Sequence, residues 1–243
     1  MDFKADVMVF SEAAHEDFGS TSAADDLRVR ALSHSSGCMH RLRRGKLTEI
    51  AMKIPHSCEV ITHLYFYPAH TELYLCDDYT FINRIGNRTL FRVRFPHSGY
   101  YVFKIYVRPR HSEGLWPNVF NYVIEVLEGD DTVLPFPIPV ECHDLQEGFE
   151  LREPEVRYLP SHTKVFFNLW VPGVKSVLVI NEDKRTQLVR DGGPSDTWTA
   201  NVSTNNPGSQ LRVGAEFLGE AKLLTILLLY EVRIVNHLSQ VIQ

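Results

Sequence analysis

The sequence predicts an all-β protein made of two antiparallel β-sandwiches in tandem. Short apolar runs alternate with polar residues at period two, as half-buried strands do. Clusters of Gly, Pro, Asn and Asp interrupt these runs at the short intervals of a sandwich. No stretch after residue 30 shows the period of an amphipathic helix. The 243 residues leave room for two such units of about 100 residues each.

Composition narrows the function classes. The formal charge is −5 with 25 Lys and Arg against 30 Asp and Glu, which is a poor footprint for nucleic acid. Hydrophobic residues make up 44%, enough to fill two cores without staples. Cys38, Cys58, Cys76 and Cys142 form no C-x-x-C pair, so no zinc framework is written in the spacing. The first residues, MDFKADVMVF, carry acids early and have no unbroken apolar core. The expected setting is therefore the reducing cytoplasm. The run LLTILLL at 223–229 is far short of the ~20 residues of a spanning helix and fits a strand buried on both faces.

Along the chain, residues 1–24 read as a flexible acidic leader. The first sandwich is expected over 25–128. Its strand signals are Leu27-Val29-Ala31 and residues 47–54, 60–67, 72–76, 79–84, 91–95, 100–107 and 119–128. Residues 129–152 carry Pro135, Pro137 and Pro139, which cannot sit in a central strand, and predict an extended linker. The second sandwich is expected over 153–236. Its strands lie at 155–159, 164–171, 176–180, 186–189, 198–202, 211–217 and 223–235, before a tail at 237–243. Trp170 and Trp198 are expected as core anchors between its sheets.

Residues 91–107, FRVRFPHSGYYVFKIYV, read as a hairpin. Phe91, Val93 and Phe95 face a core, Pro96 ends the strand, and Gly99 lets the chain reverse. The return strand places Tyr101, Phe103, Ile105 and Val107 on one face and Tyr100, Val102, Lys104 and Tyr106 on the other. The second face is amphipathic and suits a contact surface. Trp116, in the loop GLWPN, is a further contact candidate. Arg92 and Arg94, with Arg84 and Arg88, share a strand face where they either meet carboxylates or keep the sheet soluble.

Other constellations point to chemistry more weakly. Cys142-His143-Asp144 is a triad in a row, yet neighbouring side chains on an extended segment point to opposite faces. His34, Cys38 and His40 offer zinc three ligands without a fourth. His56, Ser57, Cys58 and His63 flank one strand and read as packed or surface residues. Arg41, Arg43, Arg44 and Lys46 read as a solvated loop. No phosphate loop is present, since Gly192-Gly193 precedes Pro194 rather than a helix. No catalytic, metal or cofactor residue is therefore assigned.

The pattern F-x-V-x-F-P-x-S-G-Y-Y-x-F-x-I-Y, followed by N-V-x-N-Y-V-I-E-V, resembles the immunoglobulin-like modules of the kyphoscoliosis peptidase and hillarin family. It rests on Phe95, Pro96, Gly99, Tyr100, Ile105, Tyr106, Asn118, Val119 and Tyr122. Residues 154–173, Trp198 and the strand at 214–217 are similar to a following module of that family. The resemblance implies two immunoglobulin-like sandwiches without the transglutaminase-like catalytic domain. It implies a non-enzymatic scaffold whose partner is a protein, cytoskeletal in class; the residues themselves make Arg92, Arg94, Tyr100, Val102, Tyr106 and Trp116 the expected contacts. The alternative is an accessory portion or degenerate paralogue of a transglutaminase-like cysteine peptidase.

Overall fold

The computed structural model describes residues 18–34, 39–42, 47–68, 74–140, 148–192, 196–218 and 224–234, with 39–42 as backbone only. Strands dominate. The first half carries β1 (Gly19–Ser20), β2 (Arg30–Ala31), β3 (Met39–Leu42), β4 (Thr48–Lys53), β5 (Cys58–Tyr67), β6 (Tyr74–Leu75), β7 (Thr80–Ile85), β8 (Arg88–Val93), β9 (Gly99–Pro109) and β10 (Asn118–Val126). The second half carries β11 (Ile138–Pro139), β12 (Glu150–Glu153), β13 (Tyr158–Pro160), β14 (Lys164–Trp170), β15 (Val174–Asn181), β16 (Lys184–Gln187), β17 (Val189–Arg190), β18 (Thr197–Ser203), β19 (Gln210–Phe217) and β20 (Leu224–Arg233). One short helix, α1 (Ser22–Asp26), sits near the start of the described chain. The chain is all-β, with immunoglobulin-like domains in tandem.

It divides into two compact units, Met1–Asp77 with Phe95–Asp131, and Asp78–Arg94 with Thr132–Gln243. In the first unit one sheet runs β1-β10-β9-β5-β6, and β3 joins β10 in parallel. A second pair, β2 with β4, is antiparallel. The period-two reading of β9 and β10 carries this core. Tyr101, Phe103, Ile105, Val107, Phe120, Tyr122, Ile124 and Val126 are all buried. Phe120 stacks on Tyr122 at 4.4 Å, and Phe103 lies 6.4 Å from the same ring.

The turn at 96–99 differs from the expected hairpin. β9 pairs with β5 and β10, whereas β8 pairs with β7, so the turn joins no hairpin of β8 with β9. It is a corner fixed by a tyrosine. The Tyr101 hydroxyl donates to the His97 carbonyl at 2.9 Å and accepts the His97 amide at 2.9 Å. This is the tyrosine corner of immunoglobulin-like sandwiches. Gly99 has φ +136°, and a Cβ there would come within 2.9 Å of the Phe66 ring. A side chain is thus excluded by both backbone and space.

In the second unit one sheet runs β12-β14-β18-β17, and the other runs β11-β20-β19-β15-β16, with β13 parallel to β20. Between them lie Leu151, Phe167, Leu169, Val177, Val179, Trp198, Val213, Leu228 and Tyr230. Trp198 is buried as expected, its indole N–H donating to Val171 O at 3.2 Å. Trp170 is only half-buried. Residues 186–189 are not one strand. The chain leaves β16 on one sheet and enters β17 on the other, pivoting at buried Leu188. β20 buries the consecutive Leu227 and Leu228, one on each face, and then Tyr230 and Val232 on alternate residues. Ile138 and Pro139 of the proline segment pair with Leu229 and Leu228 on β20, and Phe136 joins the core.

The antiparallel pair β7–β8 belongs to this second unit. Phe81 enters its core beside Phe136 at 5.5 Å.

Candidate protein-contact site

The outward face of β9 sits in the middle of a tyrosine-rich surface on the first unit. Register places Tyr67 opposite Tyr100, Tyr65 opposite Val102, His63 opposite Lys104, and Ile61 opposite Tyr106. On the other flank Glu125 faces Tyr100 and Val123 faces Val102. Tyrosine stands on this face because its ring can be half covered while its hydroxyl stays wet. Tyr100 and Tyr106 are both half-buried. The Tyr100 hydroxyl reaches Glu125 Oε1 at 3.4 Å. The Tyr106 ring meets the His63 ring edge-on at 5.6 Å.

His63 is held in turn. Its Nδ1 lies 2.8 Å from Asp77 Oδ2, and Asp77 Oδ1 accepts the Leu64 amide at 2.8 Å. Lys104 lies over the Tyr65 ring at 5.2 Å, a cation–π contact. Val102 departs from the expected contact role. It is 0% exposed, and its neighbour Val123 is 1% exposed. A fully buried side chain has no surface to offer a partner.

Trp116 lies in the loop between β9 and β10. The Arg108 guanidinium sits over its ring at 4.0 Å, and Arg108 Nε donates to Glu59 Oε2 at 3.0 Å. The ring is therefore braced and half-buried. Beside it Leu115 is 95% exposed, more than any other large hydrophobic residue described. The residue types around it, Gly114 before and Pro117 after, mark a loop, but sequence reasoning passed over Leu115 in favour of the tryptophan. Gly114 has φ +111°, and nothing lies within 4 Å of the Cβ it lacks, so the loop stands in open space.

Arg92 and Arg94 belong to the second unit, whereas Tyr100, Tyr106 and Trp116 belong to the first. The arginines are committed to an internal carboxylate. Arg92 Nη2 lies 2.6 Å from Glu155 Oε1, and Arg94 Nη2 lies 3.1 Å from Oε2. Arg94 Nη1 also donates to Leu134 O at 2.9 Å and Glu155 O at 3.1 Å. Its guanidinium lies over the Phe136 ring at 3.9 Å. Burial lowers the Arg94 pKa to about 10, against the pull of the Glu155 carboxylate and with the push of the Arg92 charge. These arginines hold structure together instead of facing outward, and their partner lies 61 residues away from Arg94.

Among the described residues, no group of three or more His, Cys, Asp or Glu could hold a metal ion. Cys142-His143-Asp144, Cys38, Arg43, Arg44 and Lys46 lie outside the described residues, as do the side chains of His40 and Arg41. No described helix is long and apolar enough to cross a membrane.

Comparison with known proteins gives this surface a context. Residues 25–137 match the KY-like, immunoglobulin-like domain model. The kyphoscoliosis peptidase of Mus musculus is 26% identical over 191 residues, covering 78% of this chain and 28% of that protein. The kyphoscoliosis peptidase of Homo sapiens is 31% identical over 118 residues, covering 48% of this chain and 17% of that protein. The chain thus spans less than a third of the length of these relatives. Among solved structures, an ICAM-5 ectodomain fragment aligns over 85% of this chain and 50% of its own, at 12% identity and a TM-score of 0.27. Residues 25–137 are thus similar to KY-like immunoglobulin-like domains, and the chain is similar in sequence to part of the kyphoscoliosis peptidases.

Proposed function

We propose that this chain is a non-catalytic interaction module, a cytoplasmic scaffold that binds a cytoskeletal protein. The sequence modules in this reading are 25–128 and 153–236, joined by 129–152. The matched domain is an immunoglobulin-like one, not a catalytic one, which supports a binding role over chemistry. The observation that carries the contact surface is the loop bearing Leu115 and Trp116. An exposed leucine beside a braced tryptophan has the make-up of an interface hot spot: a rigid aromatic that loses little entropy on binding, with apolar area left in water. Tyr100 and Tyr106 extend the surface along β9. Arg92, Arg94 and Val102 are left out of it because each is turned inward.

The test is capture of partners from cytosolic lysate on the full chain, repeated with Leu115→Glu, Trp116→Ala and Tyr106→Ala. Filament-associated proteins should be retained by the wild type and lost from the first two variants. An identical captured set for all four proteins removes the surface.

A second reading is favoured by one observation: the relatives are named peptidases and are several times longer than the matched region. In that reading the sandwiches are the accessory portion of a transglutaminase-like cysteine peptidase and present substrate to a catalytic domain. Cys58 is buried and Cys76 half-buried, neither of them in a disulfide. A thiolate-selective probe at neutral pH separates the readings, since strong labelling of one cysteine would move the chain toward catalysis.

A further inference from the structure

The outward face of β5 and β9 in the first unit carries rings in series. The Tyr65 and His63 ring centroids lie 6.0 Å apart, and those of His63 and Tyr106 5.6 Å apart. The two pairs are inclined at 53° and 66°, so neighbouring rings leave crevices instead of a flat stack. The series is braced. Asp77 holds the His63 ring at Nδ1, 2.8 Å away, and Lys104 lies over Tyr65 at 5.2 Å. Arg108 follows Tyr106 by two residues and so shares its face. It covers one side of the Trp116 ring at 4.0 Å and is itself tied to Glu59. Rings held this way lose little freedom when a ligand settles on them.

Three properties narrow the ligand. The rings stand on the face of paired strands, whereas an added strand binds at an edge. Aliphatic area is scarce: on this face of β5 and β9, Ile61 is the one aliphatic side chain that is not buried, which suits an amphipathic helix poorly. The polar groups include donors. The Trp116 indole N–H and the Tyr65 hydroxyl have no hydrogen-bond partner among the described residues, and Lys104 adds an ammonium. A proline-rich segment is the complement of such a face. It offers carbonyl acceptors and, at each proline, no N–H. In polyproline II form it rises about 3.1 Å per residue, so prolines at i and i+2 stand about 6.2 Å apart, close to the step of the rings.

We propose that the ring series Tyr65, His63 and Tyr106, together with Trp116, docks a proline-rich segment in polyproline II form. This rests on the reading of the β9 face as the contact surface and names the chemistry of the partner. Prolines seat in the crevices between the three rings. The Trp116 N–H and the Tyr65 hydroxyl donate to carbonyls of the bound segment, which supplies no donor of its own at its prolines.

Fluorescence polarisation of a labelled decaproline peptide with the full chain tests this, beside a Gly-Ser peptide of equal length. Decaproline should bind saturably, and the flexible Gly-Ser peptide about tenfold more weakly or not at all. Trp116→Ala and Tyr106→Ala should each weaken decaproline about tenfold. Tyr65→Phe, which keeps the ring and removes one hydroxyl, should weaken it about threefold. Val189→Ala, at an exposed site in the second unit, should leave the affinity unchanged. No saturable binding up to about 1 mM peptide overturns the proposal, as does binding that both alanine variants leave intact. Should the alanine variants not fold, Tyr65→Phe decides, and wild-type affinity in it overturns the proposal. Lysate capture separates this failure from that of the wider reading. Partners lost with Trp116→Ala while decaproline is ignored strike only the proline-rich ligand; capture indifferent to Trp116→Ala strikes the surface itself.

Discussion

The Tyr101 hydroxyl holds both backbone groups of His97, accepting the amide and donating to the carbonyl at 2.9 Å each. The tyrosine is 0% exposed, so its ring also fills the core beside Phe66 and Phe95 at 4.8 and 5.0 Å. Tyr101→Phe keeps the ring and removes the two bonds. It should destabilise the fold by about 1–3 kcal/mol, because a partly buried amide loses its acceptor. Urea unfolding should show a lower midpoint at unchanged slope.

Gly129 is packed against the same corner. A Cβ there would stand 2.3 Å from the His97 carbonyl carbon and 2.4 Å from Ser98 N, both backbone atoms. Gly129→Ala should therefore cost more than about 2 kcal/mol, since neither neighbour can swing aside. Gly192→Ala is the control. Nothing lies within 4 Å of its missing Cβ, so thermal unfolding should move little.

Arg157 and Asp78 should prove unequal partners. The Arg157 side chain is 9% exposed and Asp78 61%. Arg157 also donates through Nε to Phe136 O at 3.1 Å, a bond Asp78 does not share. Arg157→Ala should cost more than Asp78→Ala, and a double-mutant cycle should give a coupling of about 1 kcal/mol, as expected for a pair with one wet end.

Tyr230 should make the fold sensitive to alkali. Burial, helped by the Glu155 charge, raises its pKa well above 10.0. An unfolded tyrosine ionises near 10, so the unfolded chain releases this proton first. The stabilisation is whole below about pH 10 and is lost as pH rises toward the folded value. Tyr230→Phe gives up the bond to Pro154 O at 3.0 Å, costing about 1 kcal/mol at pH 8. Its stability should then decline less steeply above about pH 10 in urea titrations.

Most strands were legible because their period is a backbone property. β4, β5, β7, β9, β10, β14, β18 and β19 all fall within a few residues of the alternating runs that predict them. The two faces of β9 and β10 were legible for the same reason. What the alternation does not carry is which strands pair. Phe91 to Val107 looks like a hairpin because Pro and Gly signal a reversal, but a sandwich corner uses the same residues to change sheets. The partner of the arginines was not legible for a different reason. Arg92 and Arg94 alternate outward in sequence, and Glu155, which draws them inward, lies in another part of the chain. Leu115 was passed over because exposure is a tertiary quantity, and a lone leucine in a loop has no pattern to mark it.

The placement of the β7–β8 pair bears on how the polypeptide can be divided. A cut in the proline-bearing stretch looks natural from the primary structure. A fragment starting at 132 would leave behind Phe81, Asn83 and Asp78, and with them a wall of its own interior, the acceptor for the Leu151 amide and the anchor of Arg157. Such a piece is expected to be sticky and loosely folded, since Phe81 fills its core and Asp78 pairs with Arg157. Swapping or grafting the C-terminal sandwich therefore requires carrying seventeen upstream residues, 78–94, that no boundary drawn by eye would include.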